Sequence, residues 1–142
     1  MRQRGGMKNA FLSLWILLLP AIVWADQLPG WSGVAEEVVR YIDVAEQSYL
    51  AGDVKQAKRS VVSAYFGVFE ERKMEAAMRM ELGARHTYQV ERQFGDLRKT
   101  IQKGLDSPEV SAIADSIRVA MRRDAALLDQ AGIPLEVFRV NQ

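Results

Sequence analysis

The amino-acid sequence predicts an all-α protein, an antiparallel up-down four-helix bundle that follows a signal peptide. Three observations support this fold class. Apolar residues recur every three or four positions in four successive segments, which is the spacing of one face of a helix. The links between the segments are short, so successive helices are expected to lie side by side. No run of alternating apolar and polar residues indicates a competing strand.

The N-terminal segment, residues 1–25, has the pattern of a secretory signal peptide. Three basic residues precede an apolar run over residues 11–23, which is shorter than the roughly 20 residues that span a bilayer as a helix. Val23 and Ala25 supply the small side chains of a cleavage site. We therefore expect cleavage and a periplasmic mature protein; the alternative is an uncleaved N-terminal anchor in the inner membrane.

The mature chain, residues 26–142, is predicted to form a single periplasmic helical-bundle domain, because its length of 117 residues is typical of one domain. Without the three basic residues of the signal peptide, it carries 16 basic and 18 acidic side chains. This balance argues against nucleic acid as a partner, since that affinity depends on clustered positive charge. The absence of cysteine excludes thiolate metal sites, cysteine nucleophiles and covalently attached haem.

The first two predicted helices meet at Gly52. Ser32 is the predicted N-cap of the first helix, whose apolar positions are Val34, Val38, Ile42, Ala45 and Tyr49. Asp53 is placed to cap the second helix. The apolar stripe of that helix comprises Val54, Ala57, Val61, Ala64, Tyr65 and Val68.

The third predicted helix covers residues 74–104 without a proline, which corresponds to ~45 Å of helix. Its clearest apolar positions are Val90, Phe94, Leu97 and Ile101. Gly83 and Gly95 each cost up to ~1 kcal/mol relative to alanine inside a helix. A bend or a close helix crossing is therefore expected at one of them.

The start of the fourth predicted helix is the best marked. Ser107 is its predicted N-cap and Pro108 its first helical residue, where a missing N–H costs nothing. Gly132 is expected to end it. The tail that follows is expected to be irregular; a brief extended edge and packing of Phe138 on the bundle are the two alternatives.

No pair of nucleophile and base and no cofactor-binding loop is recognisable, so an enzyme is not expected. His86 is the sole histidine of the chain. It lies four residues from both Leu82 and Val90 and so follows the apolar stripe. We expect a half-buried packing histidine.

Two sets of side chains have a spacing that suits a metal. Glu71 and Glu75 lie four residues apart, and carboxylates suit iron. Met74, Met78 and His86 share one row if the helix is unbroken, and thioether with imidazole suits copper(I). A structural interpretation of both sets stays open, in which the methionines fill the core and the acidic residues form a solvated, salt-paired helix end.

The stretch AYFGVFEERKMEAAMRMELG, residues 64–83, followed by VERQFGDLRKTI, residues 90–101, resembles the extracytoplasmic domain that precedes the membrane part of many bacterial high-affinity iron permeases. The likeness extends from about Val38 to Leu128. It is carried by Ala64, Tyr65, Phe66, Phe69, Glu70, Met74, Glu75, Ala76, Ala77, Glu91, Phe94, Leu97 and Arg98. The resemblance implies a periplasmic helical module that assists iron uptake beside a membrane iron permease.

The acids at positions that match the family are Glu70, Glu75 and Glu91, and the resemblance implies that they contact the ion. Glu91 has a second interpretation, a buried structural pair with Arg98 two helical turns further on. Family members tend to carry glycine where this chain has Lys73, so the sequence departs from the family at the expected break between the second and third helices.

The family's permeases conduct iron through membrane helices with an Arg-Glu-x-x-Glu motif, which this sequence lacks. The chain is therefore expected to be an accessory subunit or the leading part of a split permease, and not the pore. Two alternatives remain open: a metal-free helical module that docks on a membrane partner, and a copper-binding module built on Met74, Met78 and His86. The sequence also leaves homo-oligomer formation open.

Overall fold

The structure, a computed structural model, describes residues 30–138. Within this range the chain is all-helical and contains no strand, as the sequence predicts. The predicted signal peptide, residues 1–25, lies outside the described residues, and so does the side chain of Phe138.

Five α-helices follow one another along the described chain. The elements are α1 (Gly30–Leu50), α2 (Val54–Val62), α3 (Met74–Glu81), α4 (Ala84–Lys103), α5 (Ser107–Gln130) and a terminal 3₁₀ turn (Leu135–Phe138). Helix α2 continues directly into a π-helical stretch, Ser63–Glu70, which we call the π segment. A turn at residues 71–73 then leads into α3.

The long helices enclose a single apolar core. Helix α1 packs against α5 and α2, and α4 also contacts both α2 and α5. The largest fully buried side chains come from α1, the π segment, α3, α4 and α5: Trp31, Ile42, Phe69, Met74, Met78, Leu97, Ile101, Ile117, Met121 and Leu128. The helical spacing of the apolar residues thus identified the buried faces, because residues three or four apart share one face of a helix.

The start of α1 differs from its prediction. The helix begins at Gly30, and Ser32 lies in its first turn instead of capping it. The cap comes from α5: Asp129 accepts hydrogen bonds from the backbone N–H groups of Trp31 (2.7 Å) and Ser32 (3.0 Å). A long-range carboxylate therefore satisfies donors that the sequence assigned to a local side chain.

The other caps are closer to expectation. Asp53 caps α2 through a 2.8 Å hydrogen bond from the backbone N–H of Gln56. Helix α5 begins at Ser107, with Asp106 at the N-cap position and Pro108 in the first turn. The predicted N-cap is thus one residue late.

The predicted third helix is broken. Helix α3 ends before Gly83, which has a φ of 93° that only glycine adopts without strain, and α4 begins at the next residue. Gly95 lies inside α4. Because the helix is not continuous, the predicted row from Met74 to His86 does not form one face. Within residues 30–138, no helix is both long and apolar enough to cross a bilayer.

Candidate carboxylate site

The π segment presents an aromatic cluster next to α4. The ring centroid of Tyr65 lies 5.8 Å from that of Phe69 and 5.4 Å from that of Phe94, and Phe69 and Phe94 are 5.5 Å apart. Phe69 and Phe94 are buried, whereas Phe66 is exposed. π-Helical turns are rare and occur frequently at functional sites, because the wider turn re-aims the side chains that it carries.

Three carboxylates from three different elements meet around the half-buried Tyr65. Glu70 ends the π segment, Glu75 lies in the first turn of α3, and Glu91 lies in α4. Burial, followed by the negative charges of Glu91, Glu70 and Glu75, raises the pKa of Tyr65 to about 12. The three acids that the resemblance implies as ion contacts are therefore brought together in space. We call Glu70, Glu75 and Glu91 the carboxylate site.

Arg79 bridges two acids of the carboxylate site. Its Nη2 donates to Glu75 Oε1, one turn back on α3, and to Glu91 Oε1 at 3.2 Å. Burial raises the pKa of Glu91, and so do a hydrogen bond with Glu75 and the charge of Glu75; Arg79 acts in the opposite direction. The pair Glu75 and Glu91 thus holds one cation, and Glu91 has a tendency to retain its proton.

An open cleft of about 550 Å³ lies beside the carboxylate site. Its lining residues are Phe66, Glu70, Glu71, Lys73, Glu75, Ala76 and Arg79. Glu71 is exposed at the rim, and no ion pair within the described residues holds it. Across residues 30–138, no three His, Asp or Glu side chains are arranged to enclose a metal ion as they stand. The site is therefore open and acidic but is not a preformed cage.

The other predicted site residues lie elsewhere. Met74 and Met78 are fully buried in the core. His86 is about one-third exposed, and its Nε2 lies 2.8 Å from Oδ2 of the buried Asp124 on α5. The predicted Met and His set therefore does not converge, and His86 has its partner on another helix.

The predicted pair of Glu91 with Arg98 is wrong. Both line a smaller apolar groove of about 200 Å³ between α4 and the end of α2, but Glu91 pairs with Arg79. The sequence reasoning missed Arg79, although its spacing of four residues from Glu75 is a readable signal. It also missed Asp124, for which the sequence carries no such signal.

The turn before α3 depends on a strained residue. Lys73 has φ 63° and ψ 19°, and it is the one non-glycine residue of the described chain with a positive φ. For a lysine this left-handed conformation costs roughly 1–2 kcal/mol. The chain therefore breaks between the π segment and α3 at Lys73.

Replacing Lys73 with glycine is expected to raise the free energy of unfolding by about 0.5–1 kcal/mol, because glycine relieves the strain at a positive φ. Urea denaturation followed by circular dichroism measures the change. Lys99→Gly, on the exposed face of α4, is the matched control and should lower stability by about 1 kcal/mol. A loss of stability in Lys73→Gly would contradict the strained conformation.

Replacing Glu91 with glutamine should raise the free energy of unfolding at neutral pH. The pKa of Glu91 is higher in the folded chain than its ordinary value of 4.5, so the folded state holds this proton more tightly than the unfolded state. The contribution of Glu91 to stability therefore falls as the pH rises from about 4.5 through the folded pKa. The advantage of the variant should shrink to zero below that window, which urea denaturation at several pH values will measure.

Glu36→Gln is the control of opposite sign. The hydrogen bond from Arg122 lowers the pKa of Glu36, so its stabilisation is present above 4.5 and is lost as the pH falls through the folded pKa. This variant should lose stability at neutral pH. If Glu91→Gln followed the same pH profile as Glu36→Gln, the assignment of Glu91 as a disfavoured charge would be wrong.

Comparisons of the chain with protein-family models, curated proteins and solved structures find no match.

Proposed function

We propose that this chain is a non-enzymatic periplasmic accessory domain of an iron-permease-type uptake system, which binds iron transiently through carboxylates. In this proposal its long helices form an antiparallel four-helix bundle whose third helix is interrupted at Gly83. The chain is not itself the transport pore; iron is its cargo and a membrane permease its partner.

The observation that carries the proposal is the convergence of Glu70, Glu75 and Glu91. They come from separate elements, lie 5 to 21 residues apart in the sequence, and still meet around Tyr65 beside an open cleft. Helix amphipathicity alone does not explain three acids at one point. Like charges in proximity also cost free energy. Such a cost is commonly tolerated where the charges act on a ligand.

The backbone at Lys73 gives a second, independent support. The family resemblance places a glycine at this position, and here the residue adopts a conformation that favours glycine. A local agreement of backbone geometry with the family pattern is not a consequence of composition or amphipathicity.

The residues present fit a weakly held iron ion. Carboxylate oxygens are hard ligands that suit both ferrous and ferric iron. Arg79 already lies between Glu75 and Glu91, so an ion has to displace its guanidinium and the proton that Glu91 tends to retain. This competition favours exchange over storage, as a delivery module needs.

Titration of the purified protein with Fe²⁺ without oxygen, followed by calorimetry, tests the proposal. We expect saturable binding in the parent chain and its loss in Glu75→Gln with Glu91→Gln. Arg79→Gln should bind iron about ten-fold more tightly, because a competing cation is removed from a partly exposed site. Affinity should fall with acidification, since the protons of the acids compete with the ion.

Glu81→Gln is the matched control, because Glu81 is an exposed acid of the same helix that does not line the cleft. It should bind iron as the parent does. The absence of saturable binding in the parent, or equal loss in the control, would overturn the iron proposal. In that case co-purification with a membrane permease would favour the metal-free docking module.

The copper alternative is not favoured by the packing. The thioethers of Met74 and Met78 are inaccessible, and His86 is engaged by Asp124 on α5. Copper(I) binding would require the core to open around α3. Titration with Cu⁺ of the parent and of Met78→Leu distinguishes this alternative.

A further inference from the structure

Positive charge is concentrated on two neighbouring helices. Helix α2 contains three basic and no acidic side chains, and α4 contains five basic and two acidic ones. Together these two helices carry a net charge of +6, although residues 26–142 as a whole carry −2. We call the eight residues the basic face: Lys55, Lys58, Arg59, Arg85, Arg92, Arg98, Lys99 and Lys103.

The basic face differs in its pairing from most other basic residues of the described chain; among those, Arg40 and Lys73 also form no ion pair with residues 30–138. The arginines at 72, 79, 118, 122 and 123 each form an ion pair with a carboxylate. No basic-face residue forms an ion pair with any residue from 30 to 138, and all are exposed except the half-buried Lys58. Unpaired charges of one sign on one surface repel one another, so their positive potential remains available to an external anionic partner.

The two helices that carry these charges are neighbours. Helices α2 and α4 are in contact, and Val62 and Arg98 line the same groove between them. On α4, residues 85, 92, 99 and 103 lie opposite the buried positions 87, 90, 94, 97 and 101. The row from Arg85 to Lys103 is ~27 Å long at 1.5 Å per residue.

Exposed apolar side chains lie among the charges. Val62 and Phe66 are exposed on the α2 side of the groove, and Tyr88 is exposed on α4. A surface that combines basic residues with exposed aromatic and aliphatic groups fits the interface of a bilayer, where headgroups take the cations and the acyl boundary takes the apolar groups. A nucleic acid would use the cations but would leave the aliphatic groups in water.

We propose that the basic face docks on the surface of a bilayer rich in anionic phospholipids. The observations that carry the proposal are the charge segregation, the lack of internal ion pairs and the apolar side chains within the face. The proposal does not rest on iron binding, because the carboxylate site and the basic face involve different residues.

Vesicle sedimentation tests the proposal with the full chain. We expect binding to vesicles that contain phosphatidylglycerol and much weaker binding to pure phosphatidylcholine. Binding should weaken between roughly 0.01 M and 0.15 M salt, as the Debye length falls from about 30 Å to about 8 Å. Arg92→Glu with Lys99→Glu and Lys103→Glu should bind phosphatidylglycerol vesicles on the order of a hundred-fold more weakly, at about five-fold for each basic residue.

Two comparisons separate this face from general charge effects and from the N-terminal segment. Lys99→Glu and Arg40→Glu change the net charge equally, but Arg40 is an exposed residue of α1 outside the basic face, so its variant should bind like the parent. All variants share the apolar residues 11–23, so differences between them report on the basic face. Circular dichroism confirms that each variant is folded.

Three results would overturn the proposal. Equal binding of the parent and the triple variant to phosphatidylglycerol vesicles would exclude the basic face as the membrane-binding surface. Loss of binding on addition of millimolar inorganic phosphate at constant ionic strength would indicate a discrete phosphate pocket instead of a surface. Tighter binding to duplex DNA than to vesicles at the same salt would indicate a nucleic-acid partner.

Discussion

Replacing Trp31 with alanine is expected to lower the free energy of unfolding by about 3–5 kcal/mol. Trp31 is fully buried at the start of α1, and its indole Nε1 donates a 2.7 Å hydrogen bond to the backbone carbonyl of Ile133, which follows α5. The change therefore creates a large cavity and removes a donor from that carbonyl. It also loosens the attachment of the first helix to the end of the last.

Urea denaturation with linear extrapolation measures this loss. Tyr88→Ala is the matched control, since it removes another large aromatic side chain from a position that is 59% exposed. The control should change stability by no more than about 0.5 kcal/mol. A Trp31→Ala variant that behaves like the control would show that the indole is not part of the core.

The surroundings of Trp31 also show what a local pattern cannot supply. The buried positions of α1, such as Val34, Val38 and Ile42, follow from spacing alone, because each helix must turn its apolar stripe inward. The cap of α1 does not, since Asp129 lies 98 residues from Trp31 in the sequence. Glycine at position 30 suits this long-range cap, because a Cβ at that position would lie 2.5 Å from Asp129 Oδ1.

The break of the predicted third helix has a similar explanation. Two glycines offered two break points, and the cost of glycine in a helix is the same at both. Only at Gly83 does the chain adopt a positive φ, while Gly95 remains helical in the wall of the groove beside Arg98. Tertiary packing therefore determines which glycine breaks the helix. The break at Gly83 separates Met74 and Met78 on α3 from His86 on α4.

The sequence predicted the acids of the carboxylate site but not Arg79, the cation that bridges two of them. Glu70, Glu75 and Glu91 came from the family resemblance, and their proximity depends on how α3 packs against the π segment and α4. The bridge by Arg79 combines a local spacing with a contact between two helices. The spacing is visible in the sequence, but the choice of Glu91 as the second partner depends on how α3 and α4 pack.

The second large effect is expected at Arg118, whose replacement with methionine should lower the free energy of unfolding by about 2–3 kcal/mol. Arg118 is only 15% exposed, and its guanidinium donates to Asp43 (2.7 Å), to Asp115 (2.7 Å) and to Glu46. Burial opposes its charge, but the hydrogen bonds that it donates to these carboxylates outweigh burial and raise the pKa of Arg118. Without the cation, Asp43 and Glu46 face each other across one turn of α1 with no compensating charge.

Arg122→Met is the control for Arg118→Met, one turn further along α5 and directed at the same helix α1. Its pair with Glu36 is much more exposed, with Arg122 at 54%, and pairs of this kind contribute at most about 1 kcal/mol. The double variant Arg118→Met with Glu46→Met should recover much of the loss, because an apolar pair replaces the stranded charge. If both single variants lost equal stability in urea denaturation, burial would not be what makes Arg118 matter. The packing of α1 against α5 would then depend on the number of ion pairs between the two helices and not on the burial of the Arg118 pairs.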